Sequence, residues 1–137
     1  MKIQEQIREK ALKYRDYTAI NLSKMIQAKS YSGKEEEVCR VISSLCEEAG
    51  FDEVYFDGLG SVIGRVGNGP KKLAFDAHID TGEVGDPEQW NFDPFSGEIR
   101  DGRVWGRGAS DQKGGAASMI TAGRILKELG YGGVFTV

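Results

Sequence analysis

The chain has 137 residues, of which 39% are hydrophobic and 28% are charged, and its formal net charge is −3. This composition is typical of a soluble globular domain with its own core. The acidic balance argues against a nucleic-acid-binding protein, which requires a basic patch. No apolar run approaches the roughly 20 residues of a membrane span, and the N-terminus lacks the apolar region of a secretory signal. We therefore expect a cytoplasmic protein with neither nucleic-acid nor membrane partners.

Apolar residues recur at helical spacing from Ile3 onward and predict one helix over about residues 3–28. Ser32 and Glu35 have the spacing of a capping box, which predicts that a second helix begins near residue 34 and runs to about 49. Gly50 follows as a C-terminal glycine, and Phe51 can pack back on the last turn. The N-terminal third of the chain is therefore expected to be helical.

The second predicted helix carries both cysteines, Cys39 and Cys46. Seven residues of helix separate them by about 10 Å along the axis, which is too far for a disulfide. The chain also lacks the Cys-x-x-Cys pair that would favour a cysteine-based metal site. We expect two free thiols, as in a reducing compartment.

Short apolar segments predict strands near Val54–Phe56 and over residues 61–66. The turn sequence Gly-Asn-Gly-Pro at 67–70 then predicts a hairpin with a strand over 71–79. Further along, the pattern indicates a hairpin around Asp101-Gly102, a helix and a final strand; these lie at 98–105, 112–129 and 132–137. The predicted fold class is α/β, with a mixed β-sheet flanked by helices.

Residues 73–80 alternate strictly between apolar and polar side chains, as a strand with one buried face does. The apolar face comprises Leu73, Phe75, Ala77 and Ile79, and the polar face comprises Asp76, His78 and Asp80. His78 is the only histidine of the chain, and Asp80 leaves the same face two residues later. A carboxylate beside an imidazole fixes its tautomer and raises its basicity, as is usual around metal-bound histidines.

A glycine-rich segment, 106–115, precedes the predicted helix at 112–129 and contains Asp111. An acid at a helix N-terminus stays ionised, and the glycines let the backbone approach a ligand closely. Taken singly, Asp111 can be a helix N-cap and His78 a core histidine. Together, one imidazole and two carboxylates suit Zn²⁺, with Mn²⁺ or Co²⁺ as alternatives.

Three other kinds of site are disfavoured. Gly106-x-Gly108 lacks the third glycine of a dinucleotide fingerprint, because position 111 is Asp. Lys113 does not have the spacing of a phosphate-binding P-loop. No serine lies on a G-x-S-x-G elbow, which argues against a Ser-His-Asp triad.

Residues 82–97 show little periodicity and form a long loop that contains Trp90 and Phe95. A loop of this length is often functional, and a surface excursion pinned by its aromatic residues is the alternative.

Three motifs together resemble the family of zinc metallohydrolases that contains acetylornithine deacetylase, succinyl-diaminopimelate desuccinylase and carboxypeptidases. The motifs are His78-Ile79-Asp80-Thr81, the loop from Gly85-Asp86-Pro87 through Trp90 to Asp93-Pro94-Phe95, and the segment 106–115. The similarity extends over the whole chain and is greatest to the selenium-metabolism-linked hydrolases. It identifies residues 1–137 as the N-terminal portion of the catalytic domain.

The resemblance implies a role for each site residue. His78 would ligate one of two divalent metal ions, zinc or alternatively cobalt or manganese, and Asp111 would bridge both. Asp80 would act as the catalytic residue that holds and polarises His78. The resemblance also implies a cis peptide bond between Asp111 and Gln112, and it leaves Gln112 and Gly82 as departures from the family pattern.

The implied activity is hydrolysis of amide or peptide bonds by a metal-bridged water, acting on a small peptide or an N-acyl amino acid. The general-base glutamate, the other metal ligands and a lid domain that mediates homodimerisation would lie outside residues 1–137. We therefore expect this chain to be part of a longer protein and to be inactive alone. A non-catalytic α/β module that binds a metal or a partner is the alternative.

Overall fold

The computed structural model describes residues 1–137, which form four α-helices and six short β-strands. The helices are α1 (Ile3–Lys13), α2 (Arg15–Gln27), α3 (Glu36–Glu48) and α4 (Gly114–Glu128). The strands are β1 (Glu53–Phe56), β2 (Val62–Val66), β3 (Lys71–Ala74), β4 (Glu98–Arg100), β5 (Arg103–Trp105) and β6 (Gly133–Thr136). None of the helices is long and apolar enough to cross a membrane.

The main sheet has four strands in the order β1-β2-β6-β3. The β1–β2 and β2–β6 pairs are antiparallel, whereas β6 and β3 run parallel. β4 and β5 form a separate antiparallel ribbon, in which Asp101 and Gly102 both adopt positive φ as a tight hairpin turn requires. The predicted α/β class with a mixed sheet and helices is confirmed, and so is this hairpin.

The predicted hairpin between β2 and β3 is wrong, because β6 lies between them. Val134 and Phe135 of β6 are only 5% and 2% exposed, so this late strand takes the central position of the sheet. The glycines of the loop between β2 and β3 accommodate it. A Cβ on Gly69 would meet the carbonyl oxygen of Gly132, just before β6 begins. Burial of a distant apolar strand therefore overrides the local turn signal.

The predicted strand at 71–79 is also too long, since β3 ends at Ala74. Its neighbour β6 ends at Thr136, whose carbonyl accepts a last hydrogen bond from the amide of Phe75. Residues 75–80 belong to no assigned strand, although Ala77 and Ile79 still pack against the core. His78 and Asp80 consequently lie in the segment after β3 rather than within it.

The single helix predicted at 3–28 is two helices, which are separated at Tyr14 (φ −93°, ψ 12°). Tyr14 is buried, and its hydroxyl donates a hydrogen bond to Glu128 at the end of α4. The guanidinium of Arg124 lies 4.6 Å from the centre of the Tyr14 ring. The chain bends at Tyr14 so that α1 and α2 both pack against α4.

The predicted capping box of α3 is wrong, whereas its C-terminal end is as expected. Glu35 is the N-cap without a side-chain cap, and the Ser32 hydroxyl binds Asp80 instead. At the other end Gly50 adopts φ 83°, and the amide of Phe51 donates to the carbonyl of Cys46. This pair closes the helix as a Schellman motif does.

The core lies between the helices and the sheet, and Gly123 of α4 leaves space for the ring of Phe51. Its most buried members are Met25, Ala28, Val38, Leu45, Cys46, Val66, Ala117, Ile120 and Phe135. Cys39 and Cys46 are buried free thiols, as predicted.

Candidate metal centre

The segment after β3 is fixed to the segment that precedes α3, although neither belongs to the sheet. The amide of Thr81 donates to the carbonyl of Ser30 at 2.7 Å, and the Ser30 hydroxyl donates to the carbonyl of Ile79 at 2.8 Å. Tyr31 and Thr81 form an isolated parallel bridge. These bonds hold the backbone of residues 79–81 and therefore set the direction of the neighbouring side chains.

Asp111 lies in an irregular turn between β5 and α4. Gly108 adopts φ 80°, and a Cβ at this position would meet the side chain of Thr81. The amide of Lys113 donates to the carbonyl of Gly108 and closes the turn. The Asp111–Gln112 peptide bond is cis, as the family resemblance implies.

Lys113 fixes this turn to α2 from within the core. The residue is fully buried, and its ammonium donates to the carbonyls of Met25 and Ala28 at 2.8 and 3.0 Å. These carbonyls lie at the C-terminal end of α2, where helical carbonyls lack partners. Burial lowers the pKa of Lys113 to about 8.

The structure brings His78, Asp80 and Asp111 together. Nε2 of His78 lies 2.8 Å from Oδ1 of Asp111, and Nδ1 lies 3.1 Å from Oδ1 of Asp80. His78 is 48% exposed and is therefore not a core histidine. Asp111 is 88% exposed and is not the N-cap of α4, which is Lys113. The structure therefore excludes both single-residue alternatives, a core histidine for His78 and a helix N-cap for Asp111.

The electrostatics of the group follow from these contacts. The carboxylate of Asp111, and after it that of Asp80, accepts hydrogen bonds from the imidazole and raises the pKa of His78. The Ser32 hydroxyl, followed by His78, lowers the pKa of Asp80. The imidazole is thus held between two carboxylates, which favours a cation at this point, either a proton or a metal ion.

The group opens into a depression of about 310 Å³. On its rim, Arg107 donates from Nε to the carbonyl of Gly82 and from Nη2 to that of Glu83. A Cβ on Gly82 would lie 2.8 Å from Nη2, so glycine at this position makes room for the guanidinium. Trp90 lines the same depression, and its indole donates to the carbonyl of Val84.

The loop at 82–97 is ordered by its aromatic residues. The ring of Phe92 lies between those of Trp90 and Trp105, with centroids 5.5 and 5.4 Å away. Phe95 packs edge-on against Tyr31 at 6.0 Å. The expected anchors, Trp90 and Phe95, therefore both make aromatic contacts, and Trp90 also borders the candidate site.

Sequence reasoning missed three residues around the site: Ser32, Arg107 and Lys113. Ser32 was assigned to a helix cap because Glu35 follows at the right spacing. A buried lysine gives no local signal, since its partners lie 85 and 88 positions away. Only the family resemblance, through the segment 106–115, indicated that Arg107 and Lys113 belong to the site region.

The chain supplies an incomplete ligand set. No group of three or more His, Cys, Asp or Glu side chains is arranged to hold a metal ion. The donors suited to a metal are Nε2 of His78 and the carboxylate of Asp111, because Asp80 faces the other ring nitrogen. An imidazole nitrogen and a carboxylate oxygen are ligands that Zn²⁺ accepts.

His78 follows the C-terminal end of β3, which runs parallel to β6. Ligand sites in the loops after such strands are typical of α/β proteins.

Comparison with known proteins gives a match to a family model. Residues 74–137 match the model of peptidase family M20/M25/M40. This match confirms the resemblance to desuccinylases and carboxypeptidases.

Individual relatives extend the similarity to nearly the whole chain. It is 43% identical to the uncharacterised protein YgeY of Escherichia coli K12 over 131 residues, which are 96% of this chain and 32% of YgeY. It is 36% identical to the succinyl-diaminopimelate desuccinylase of Wolbachia sp. subsp. Brugia malayi over 105 residues, 72% of this chain and 26% of that enzyme. The match thus spans between about a quarter and a third of the length of these curated relatives.

The fold is also similar to that of a solved structure, the dipeptidase Dug1p of Saccharomyces cerevisiae. The TM-score is 0.80 at 18% sequence identity, and the match covers 96% of this chain and 33% of Dug1p. At this identity the likeness concerns the fold alone.

Proposed function

We propose that the protein is a metal-dependent hydrolase of amide or peptide bonds, in which His78 and Asp111 ligate divalent metal ions. The observation that carries the proposal is the 2.8 Å approach of Nε2 of His78 to Oδ1 of Asp111. The match of residues 74–137 to the peptidase family model and the desuccinylase relative support the same reaction class. Residues 1–137 would form the N-terminal portion of the catalytic domain.

The donor set fits the implied cofactor of two divalent ions. His78 offers a nitrogen and Asp111 two oxygens, and the side chain of Asp111 is 88% exposed. Zinc is the first choice for nitrogen and oxygen ligands, with cobalt and manganese as alternatives. Two donor residues do not complete a two-metal site, and we assign the remaining ligands and the general-base glutamate to residues outside this chain.

Asp80, His78 and Asp111 each have a defined role in this proposal. Asp80 accepts a hydrogen bond from the Nδ1–H of His78, which leaves the Nε2 lone pair free for a metal ion and raises the basicity of the ligand. The carboxylate of Asp111 supplies negative charge that offsets the cations. When bound, the ions would lower the pKa of a water and polarise the carbonyl of the substrate.

The substrate class we propose is a small peptide or an N-acyl amino acid. This rests on the desuccinylase among the relatives. We further propose a cytoplasmic location, since Cys39 and Cys46 are unpaired thiols on one helix. Homodimerisation through a lid domain stays a prediction.

Assays of the full-length gene product test the proposal directly. We expect hydrolysis of dipeptides or N-acyl amino acids that is abolished by a chelator and restored by Zn²⁺ or Co²⁺. Asp111→Asn should lower the rate by at least about 100-fold, whereas Asp101→Asn, at the exposed turn of the β4–β5 ribbon, should not.

Activity that resists chelation, or an Asp111→Asn protein as active as the parent, would contradict the proposal. Metal binding without any turnover would support the non-catalytic module instead.

A further inference from the structure

We propose that Ser32 is a positioning residue of the metal centre, which fixes the carboxylate of Asp80 so that one oxygen is directed at His78. The inference rests on the proposed function, because it assigns Ser32 a task in preparing His78 as a ligand. Ser32 would touch neither the metal nor the substrate.

The geometry forms a continuous series of hydrogen bonds. The hydroxyl of Ser32 donates to Oδ2 of Asp80 at 2.5 Å. The other oxygen, Oδ1, lies 3.1 Å from Nδ1 of His78, and Nε2 on the far side of the ring lies 2.8 Å from Asp111. Each oxygen of Asp80 therefore has its own partner, which leaves the carboxylate a single favoured orientation.

The backbone around Ser32 is built to hold the hydroxyl in place. Residues 31–34 form a turn, in which the amide of Lys34 donates to the carbonyl of Tyr31 at 2.8 Å. Gly33 adopts φ 81°, and its amide donates to a carboxylate oxygen of Glu35 at 2.7 Å. A Cβ on Gly33 would meet nothing within 4 Å, so the backbone conformation of the turn, and not space, favours glycine there.

The same turn is tied to the segment that carries Asp80. Ser30, two residues before Ser32, makes hydrogen bonds with Ile79 and Thr81, which lie on either side of Asp80. The two segments therefore keep a fixed separation, and the Ser32 hydroxyl reaches Asp80 across it. This arrangement also explains why Ser32 does not cap α3.

Because the Ser32 hydroxyl holds one oxygen of the Asp80 carboxylate, this carboxylate loses rotational freedom before the metal binds. Its other oxygen then favours the tautomer of His78 that is protonated on Nδ1, which is the one that a metal at Nε2 requires. Loss of the partners of a metal ligand usually lowers metal affinity by about 10- to 100-fold. Ser32 is one hydrogen bond further from the metal. We therefore expect Ser32→Ala to weaken Zn²⁺ binding by about three- to tenfold.

His78 is the only histidine, so its ring protons can be assigned without ambiguity in an NMR spectrum of the 137-residue chain. With the ring protonated and no metal added, we expect Ser32→Ala to speed exchange of the Nδ1 proton with water by about fivefold. The Nε2 proton, which faces Asp111, should keep its rate. Ser32→Thr should restore the parental value, and Ser44→Ala on the exposed face of α3 should change neither proton.

Equal rates for the Nδ1 proton in the parent and Ser32→Ala would overturn the inference, and so would equal acceleration of both ring protons, which indicates a general loosening. Zinc titration of the same variants of the full-length protein, which would supply the remaining ligands, separates the two proposals. A full-length parent protein that does not bind Zn²⁺ contradicts the metal centre, while the proton rates still decide the role of Ser32. Parent and Ser32→Ala chains that bind Zn²⁺ equally well contradict the role of Ser32 alone.

Discussion

His78 and Asp111 are 33 positions apart in the chain, yet Nε2 of the imidazole and Oδ1 of the carboxylate lie 2.8 Å apart. Two separate devices bring them together. Hydrogen bonds to Ser30 fix the segment after β3, and the buried ammonium of Lys113 fixes the turn before α4. Because both side chains remain exposed, the core positions the pair without burying it.

Replacement of Lys113 by methionine should destabilise the protein. The carbonyls of Met25 and Ala28 would lose their donor inside the core, which costs about 1–3 kcal/mol. Lys127→Met is the matched control, because Lys127 pairs with Asp52 at the surface and should contribute no more than about 1 kcal/mol. Urea unfolding measures both, and equal losses for the two variants would contradict the buried role of Lys113.

The position of β6 in the sheet can be tested at two glycines. Gly69→Ala should cost more than about 2 kcal/mol, because its Cβ would meet the carbonyl oxygen of Gly132 and displace the chain that enters β6. Gly132→Ala should be close to neutral, since a Cβ there meets nothing within 4 Å. Thermal unfolding compares the two. If Gly69→Ala is as stable as the parent, the β2-β6-β3 order is in question.

The contacts of Glu128 predict a pH dependence of stability. The ammonium of Lys10, and after it the hydroxyl of Tyr14, lowers the pKa of Glu128 to about 2. Because this folded-state pKa lies below the unfolded value of about 4.3, the stabilisation is fully present above that value and is lost as the pH falls towards 2. Glu128→Gln should therefore cost about 1 kcal/mol at pH 7 and progressively less below pH 4.

Unfolding in urea at several pH values measures this difference, with Glu36→Gln on the exposed surface of α3 as the control. A cost of Glu128→Gln that stays constant down to pH 2.5 would show that the charge of Glu128 contributes nothing.

Both thiols should be unreactive in the folded protein. Burial raises the pKa of Cys46 to about 12 and also raises that of Cys39, so neither thiol is appreciably ionised near neutral pH. With Ellman's reagent at pH 8 we expect slow modification of the native chain and rapid release of two equivalents after denaturation. A thiol that reacts rapidly in the native chain would contradict this packing of α3.

Local signals predicted the elements whose ends are determined by neighbouring residues. The end of α3 at Gly50 and the turn at Asp101-Gly102 were predicted because backbone conformation there follows from residue type. The order of the strands was not predicted, because it depends on β6, which begins 67 residues after β2 ends. The position of Tyr14 likewise depends on Glu128, 114 positions later.

The candidate site, like the fold, could be predicted only in part. The alternation at 73–80 and the motifs around His78 and Asp111 indicated three residues that the structure brings together, and the family resemblance indicated their convergence. Ser32 was misassigned because Ser-x-x-Glu is also a helix-cap pattern, and only the structure shows that Asp80 takes its hydroxyl. Hydrogen bonds between distant segments leave no periodic trace in a sequence.

The metal centre requires that His78 and Asp111 both bind metal. The most direct test is anomalous X-ray diffraction from crystals of the full-length protein grown with Zn²⁺. We predict an anomalous peak at the zinc edge that lies about 2.0–2.2 Å from both Nε2 of His78 and a carboxylate oxygen of Asp111. A zinc peak elsewhere, with the 2.8 Å hydrogen bond between these two residues intact, would contradict the account.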